Sequence, residues 1–221
     1  MSVSHSHRKD DKLARSKIHI NGIVQGVGFR PFIFKIAAES DIKGSVSNTS
    51  EGVEIDAEGL VENLAQFKKR IEEEAPPLAA IISIKEERLK PAGYKKFEII
   101  LSRKDVKRST LISPDVCICS DCLRELFDPE DRRYLYPFIN CTNCGPRYTI
   151  IKDIPYDRAF TSMSVFKMCP DCQSEYDDPH NRRFHAQPNA CWSCGPLVTL
   201  MDNRRNRVEC SDPIKKAAEF L

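Results

Sequence analysis

At 221 residues, with 41% apolar and 30% charged content, the chain has room for one large domain or two small ones and lacks the composition of a disordered protein. Its 34 basic and 32 acidic residues nearly cancel, so no global field recommends nucleic acid or an anionic membrane as partner. No run reaches the ~18 apolar residues of a membrane span, and residues 1–17 lack the apolar stretch of an export signal. The ten cysteines are therefore expected in a reducing cytoplasm, where metal thiolates persist and structural disulfides do not.

Residues 1–17 carry His5 and His7 among many charges without periodicity and read as a disordered tail. Ile18, Ile20 and Ile23-Val24 predict a strand that meets Gly26 and Gly28, after which Pro31 opens a helix to Ser40 with Phe32, Ile33, Ile36 and Ala37 at helical spacing. Val46 and then Val53, Ile55 and Ala57 alternate around Thr49-Ser50-Glu51-Gly52 as a hairpin. Leu60, Val61, Leu64, Phe67 and Ile71 predict a second helix stopped by Pro76 and Pro77, and Ile81, Ile82, Ile84, Phe97, Ile99 and Leu101 supply further strands. The order βαββαβ with an extra strand predicts an α+β, ferredoxin-like sandwich over 18–101, an antiparallel sheet with both helices on one face. Residues 102–116, charged and polar, suit a linker, and 117–200 form a separate cysteine-rich domain.

That second domain repeats itself. Cys119, Cys122, Cys141 and Cys144 recur as Cys169, Cys172, Cys191 and Cys194, and Asp121, Glu125, Asp128, Pro129, Arg132, Arg133, Gly145, Pro146 and Thr149 recur at the same offset. Each copy reads Cys-x2-Cys, a long gap, then Cys-x2-Cys-Gly-Pro, the spacing of a closed tetrahedral zinc site, which predicts a small zinc-ribbon-like domain with two structural ions. Four thiolates leave no position for water, so these ions organise folding and do no chemistry. Pairing within each copy is preferred; pairing across copies is compatible with the same spacings. Gly145 and Gly195, directly after the last ligand, are expected at positive φ with N–H groups facing sulfur. Cys117, Cys210, His180 and His185 lie outside the pattern and receive no role. Arg132, Arg133, Arg182 and Arg183 could track a phosphate backbone, but the neighbouring acids Glu130-Asp131 and Asp177-Asp178 favour a salt-bridged surface, so neither nucleic acid nor membrane is an expected partner.

The candidate reactive site lies in the first domain. Gln25-Gly26-Val27-Gly28-Phe29-Arg30 joins strand to helix, and its two glycines let backbone N–H groups turn inward as an anion nest while Arg30 forks a phosphate. Asn48, at the end of the next strand, is placed to orient a water. VQGVGFR at 24–30 followed by Asn48 in SNTSEGVEI resembles the acylphosphatase signature over 18–101. The resemblance implies that Arg30 and the amides of residues 25–30 bind the phosphate of an acyl phosphate while Asn48 orients the hydrolytic water, making Arg30 and Asn48 the catalytic pair.

An acylphosphatase-like domain followed by the doubled four-cysteine module, with YPFINCTNCGPRYTI and RRFHAQPNACWSCGP, resembles the amino-terminal part of the hydrogenase-maturation carbamoyltransferase family. The resemblance implies that the first domain hydrolyses carbamoyl phosphate, that carbamoyl-adenylate is made with ATP in downstream domains, and that a partner maturation protein accepts the carbamoyl group on its C-terminal cysteine, on the way to the cyanide ligand of a nickel-iron site. Asp212, Pro213, Ile214, Ala217, Ala218 and Leu221 predict a capped helix, so 201–221 is expected to begin a following adenylation-type domain, cut off in a fragment. A stand-alone acylphosphatase with a zinc appendage and a zinc-dependent nucleic-acid-binding module are the competing expectations.

Overall fold

A computed structural model describes residues 12–102 and 111–221. The tail expected over 1–17 is corrected at its end: strand β1 runs Leu13–Gln25, and residues 1–11, with His5 and His7, lie outside the described residues. The period-two alternation of Ala14, Ser16, Ile18 and Ile20 was hidden because Ser16 is polar. Ser16 is buried nonetheless, its hydroxyl meeting Glu86 at 2.6 Å, while Arg15 on the opposite face pairs with Asp56.

Strands β2 (Lys43–Thr49), β3 (Gly52–Leu60), β4 (Ala80–Leu89) and β5 (Phe97–Ile99) complete a sheet of order β4-β1-β3-β2-β5. The turn after Thr49 pairs Asn48 with Val53 and Thr49 with Gly52, which holds Asn48 at the strand end. The sheet is mixed rather than wholly antiparallel: β5 runs parallel to β2, and a short strand β6 (Leu111–Ile112), inside the expected linker, runs parallel to the end of β1. Linker residues 103–110 lie outside the described residues.

Helix α1 (Phe29–Glu39) starts before Pro31, which therefore occupies the third helical position. An amide N–H is not needed there, since the first four have no intrahelical acceptor. Helix α2 (Val61–Glu73) buries Leu64, Phe67 and Ile71, while Leu60 and Val61 stay exposed. Both helices share one core with Ile18, Ile20, Val46, Val53, Ile55 and Ala57. At roughly 1.5–3 kcal/mol for each large side chain, this burial supplies the main stabilisation of the first domain.

In the cysteine module, α3 (Ser120–Phe127) and α4 (Pro170–Asp177) begin directly after Cys119 and Cys169. The two copies interlock reciprocally. Arg132 and Arg133 bind Glu175 of the second copy, and Arg182 and Arg183 bind Glu125 of the first. Arg133 Nε donates to Ala190 O at 2.9 Å, and Arg183 Nε donates to Asn140 O at 3.1 Å. These arginines therefore form a salt-bridged scaffold, but with partners across the repeat instead of the adjacent acids. Burial alone would raise the Glu175 carboxyl; the Arg133 guanidinium, with Arg183 and Arg132, holds it down at about 2. Gly145 has the expected positive φ of 70°, whereas Gly195 does not, and it is required for space: a Cβ there would lie 2.0 Å from Tyr136 Oη.

After the module, Asp212 caps helix α5 (Pro213–Ala218), accepting from the N–H groups of Ile214 and Lys215 at 3.0 Å each. No helix among the described residues is long and apolar enough to cross a membrane.

Candidate active site and metal centres

Two groups of four cysteines gather, Cys119, Cys122, Cys141 and Cys144 in one and Cys169, Cys172, Cys191 and Cys194 in the other, with the Sγ atoms of each within 4.8 Å of one another. The thiols thus assemble within each copy and not across copies. Their surroundings suit thiolate ligands: Cys119 N–H donates to Cys144 Sγ at 3.3 Å, Arg182 Nη1 to Cys122 Sγ at 3.0 Å and Arg132 Nη2 to Cys172 Sγ at 3.2 Å. No sulfur contact is made by the Gly145 or Gly195 N–H groups, which bond to Thr142 O and Cys191 O. Each group can hold one tetrahedral divalent metal ion, and the arginine from the other copy offsets part of the surplus negative charge of four thiolates. Cys117 is exposed and Cys210 half-buried, and neither joins a group.

The glycine loop folds as the sequence demands. Gly26 and Gly28 take φ of 73° and 77°, left-handed values that side-chain-bearing residues reach only with strain, and Gly28 precedes α1 with no side chain capping the helix N-terminus. The N–H groups of that terminus therefore remain a donor cluster at the positive end of the helix dipole. Arg30, on the first turn of α1, is 8% exposed, and Asn48, at the end of β2, is 1% exposed. Both line one small cavity of about 30 Å³ together with Gly26, Gly28 and Phe29. Gln25 and Val27 do not line it. Gln25 is a clamp instead: its Nε2 donates to Thr49 O at 2.8 Å and Gly52 O at 2.7 Å, and its Oε1 accepts from Tyr156 N–H at 2.8 Å. Val27 belongs to the core.

The roof of the cavity comes from the cysteine module. Asn140, Thr142, Gly145, His185 and Gln187 face the glycine loop, and Cβ atoms built on Gly26 and Gly28 would lie 2.7 Å from Pro146 and 3.3 Å from Thr142. Phe34 of α1 meets Phe184 edge-on at 5.4 Å, which joins the two domains beside the cavity. Tyr156 and Asp157 bond directly to the site residues. Arg30 Nη1 pairs with Asp157 at 2.7 Å, and the Tyr156 carbonyl accepts from Arg30 Nη2 at 3.4 Å and from Asn48 Nδ2 at 3.3 Å. Asn48 Oδ1 is buried without a hydrogen-bond partner, and so is Asn140 Oδ1. Burial, with the Arg30 charge added, pushes the His185 imidazole down to about 4, so it is neutral at physiological pH. Its backbone φ of 53° is matched by Leu135, its counterpart in the first copy, at 54°, so the conformation belongs to the repeat and not to the site.

Tyr156 and Asp157 had no motif to announce them, Asn140 and Gln187 lay within the two family-like segments without being singled out, and His185 was set aside because the first copy has Leu135. The available signal was that difference itself: at an otherwise duplicated position the second copy alone carries an imidazole.

Two family models match the chain. The acylphosphatase model matches residues 16–99, and the HypF finger model matches 118–151 and again 168–201. An acylphosphatase from Pseudothermotoga lettingae is 44% identical over 84 residues, which cover 38% of this chain and 93% of that protein. The chain belongs to the acylphosphatase family, in a form that carries paired HypF fingers. Carbamoyltransferase HypF2 from Cupriavidus necator is 46% identical over 162 residues, 72% of this chain and 20% of that protein. The crystal structure of full-length HypF in its phosphate- and nucleotide-bound form superposes with a TM-score of 0.88 at 49% identity, covering 97% of this chain and 28% of that one. The chain thus matches the amino-terminal part of HypF proteins and spans about a fifth of the length of the curated carbamoyltransferase.

Proposed function

We propose that the chain is the acyl-phosphate-cleaving part of a carbamoyltransferase for nickel-iron hydrogenase maturation, with carbamoyl phosphate as substrate. The observation that carries this reading is the convergence of an uncapped helix N-terminus, Arg30 and Asn48 on one cavity inside an acylphosphatase fold roofed by HypF fingers. The N–H groups around Gly28 to Arg30 and the Arg30 fork hold the phosphate oxygens, and Asp157 fixes one edge of the guanidinium while leaving other donors free. Asn48 Oδ1, lacking a protein partner, accepts a hydrogen bond from the attacking water. Water cleaves the bond between phosphoryl group and carbamoyl oxygen, giving inorganic phosphate and carbamate. The site supplies positioning and preorganised positive charge.

The two four-cysteine groups hold zinc, favoured by the all-thiolate, tetrahedral donor set, and serve as the rigid roof. The remaining steps, formation of carbamoyl-adenylate from ATP and transfer to the C-terminal cysteine of a maturation partner, belong to the rest of a full-length cytoplasmic enzyme. The test is phosphate release from carbamoyl phosphate by wild type, Arg30→Ala and Asn48→Ala, with metal content measured on each sample. Release lost in both variants with metal retained supports the assignment. Release unchanged in either removes that residue from the mechanism.

A further inference from the structure

Asn140 lines this cavity and carries a second buried acceptor. It is 3% exposed and its Oδ1 has no hydrogen-bond partner. The orientation of its amide is set by the other end: Nδ2 donates to Gly145 O at 3.4 Å, which a carbonyl oxygen in that place could not do. Asn140 Oδ1 is therefore an acceptor, and an unpaired buried acceptor is destabilising until a donor arrives.

The duplicated module gathers a second set of four cysteines without this side chain. The second copy has Ala190 at the equivalent position, and the backbone carbonyls of the two residues make matching bonds to Arg183 and Arg133. The carbonyl belongs to the scaffold, and the amide side chain belongs to the face over the glycine loop.

The N–H groups at the start of α1 and the Arg30 guanidinium donate. They suit an anion. The two unpartnered acceptors, Asn48 Oδ1 and Asn140 Oδ1, need donors, and the fully ionised phosphoryl group of an acyl phosphate has none to give. If Asn48 takes the water, Asn140 needs a donor on the acyl group itself. A carbamoyl group presents an amino group where an acetyl group presents a methyl.

We propose that Asn140 is the specificity-determining residue of the site: its Oδ1 accepts a hydrogen bond from the amino group of a carbamoyl phosphate and so disfavours acetyl phosphate. This rests on the phosphate-cleaving assignment above. Acetyl phosphate would bury the Asn140 oxygen unpaired, and a site that loses such a bond discriminates strongly against the analogue.

The test uses the metal-loaded chain and two non-hydrolysable phosphonates of equal shape, phosphonoacetamide and acetonylphosphonate, which differ by amino against methyl. Titration calorimetry is run on wild type and Asn140→Ala, the residue the second copy tolerates, with metal content and melting temperature followed to establish that the roof is intact. The expected result is that wild type prefers the amide by about tenfold or more and that Asn140→Ala binds both equally, keeping its affinity for acetonylphosphonate and inorganic phosphate. Equal binding of both phosphonates by wild type overturns the proposal. So does a preference that survives Asn140→Ala. If wild type binds neither phosphonate nor inorganic phosphate, the phosphate-cleaving assignment falls, and the proposal falls with it; if it binds phosphate and both phosphonates without preference, only the proposal falls. If Asn140→Ala sheds metal or unfolds, Asn140→Leu, close in volume and without an acceptor, is read by the same criterion.

Discussion

Removing the charge of Asp157 tests whether the roof holds Arg30 as a phosphate would. Arg30 and Asp157 are 2.7 Å apart with side-chain exposures of 9% and 17%. At an effective dielectric near ~20, unit charges about 4 Å apart attract by about 4 kcal/mol, and deleting one partner of a buried pair costs about 3–5 kcal/mol. The Tyr156 carbonyl stays in place to meet part of the guanidinium, so Asp157→Asn is expected to lose about 3 kcal/mol. For a chain of this size that lowers the melting temperature by about 6–12 °C. Inorganic phosphate, bound at Arg30 in the folded state only, supplies the missing counter-charge and stabilises by about 2.7 kcal/mol at a hundredfold excess over Kd. The variant should therefore gain more from phosphate than wild type and recover most of its deficit. Differential scanning fluorimetry of both proteins across a phosphate series measures this. A variant as stable as wild type without phosphate, or equal gains from phosphate in both, would refute the coupling between Asp157, Arg30 and the anion.

Other perturbations follow from the same geometry. His185 is held at about 4 against an ordinary value near 6.5, so between those values the unfolded chain takes a proton that the folded chain refuses; stability falls as pH drops from about 6.5 to 4, by about 3 kcal/mol in total, and His185→Leu should remove that part of the slope in urea melts at a series of pH values. Gly26→Ala is expected to combine left-handed strain of about 1–2 kcal/mol with a Cβ only 2.7 Å from Pro146, whereas Gly93→Ala, with a φ of 78° and nothing within 4 Å, carries the strain alone; the difference in their melting temperatures isolates the docking of the two domains. Cys172→Ser should remove one of the two metal equivalents and also destabilise the other copy, because Arg132 and Arg133 then lose the sulfur they share with Glu175, as metal analysis and thermal melts will report.

How much was legible in the sequence depended on whether the signal was local. The glycine loop, Asn48 at its strand end and the eight cysteines are short-range patterns, and the structure brings each set together. The start of β1 was missed because Ser16 occupies a core-facing position and is tolerated there by Glu86, a partner 70 positions away. The four arginines were assigned the right kind of bond and the wrong partners, since adjacency in sequence says nothing about which copy an arginine faces. Gln25 was counted among the phosphate-binding positions for its loop amide; the role of its side chain, which bonds the backbone of Thr49, Gly52 and Tyr156, the last 131 positions distant, was not foreseen. No property of Tyr156-Asp157 as a dipeptide indicates that it closes the site.

The duplication explains where such hidden residues collect. Positions that hold the two copies together are the same in both: the cysteines, Glu125 and Glu175, Arg132 and Arg182, Arg133 and Arg183. Several positions on the outward faces differ. Over the glycine loop stand Asn140, Thr142, His185 and Gln187; their counterparts are Ala190, Trp192, Leu135 and Pro137. Leu135 and Trp192 line a different hollow, of about 500 Å³, with Tyr134, Leu197 and Ile214 beside the start of α5. One scaffold therefore presents two equivalent faces, a polar one that completes the cavity over the glycine loop and an apolar one turned toward the carboxy-terminal segment. Reciprocal arginine and carboxylate pairs fix the relative position of those faces, so the outward residues were free to diverge without loss of the frame. In a duplicated module of this kind, the positions that break the repeat mark the chemistry more reliably than the positions that keep it.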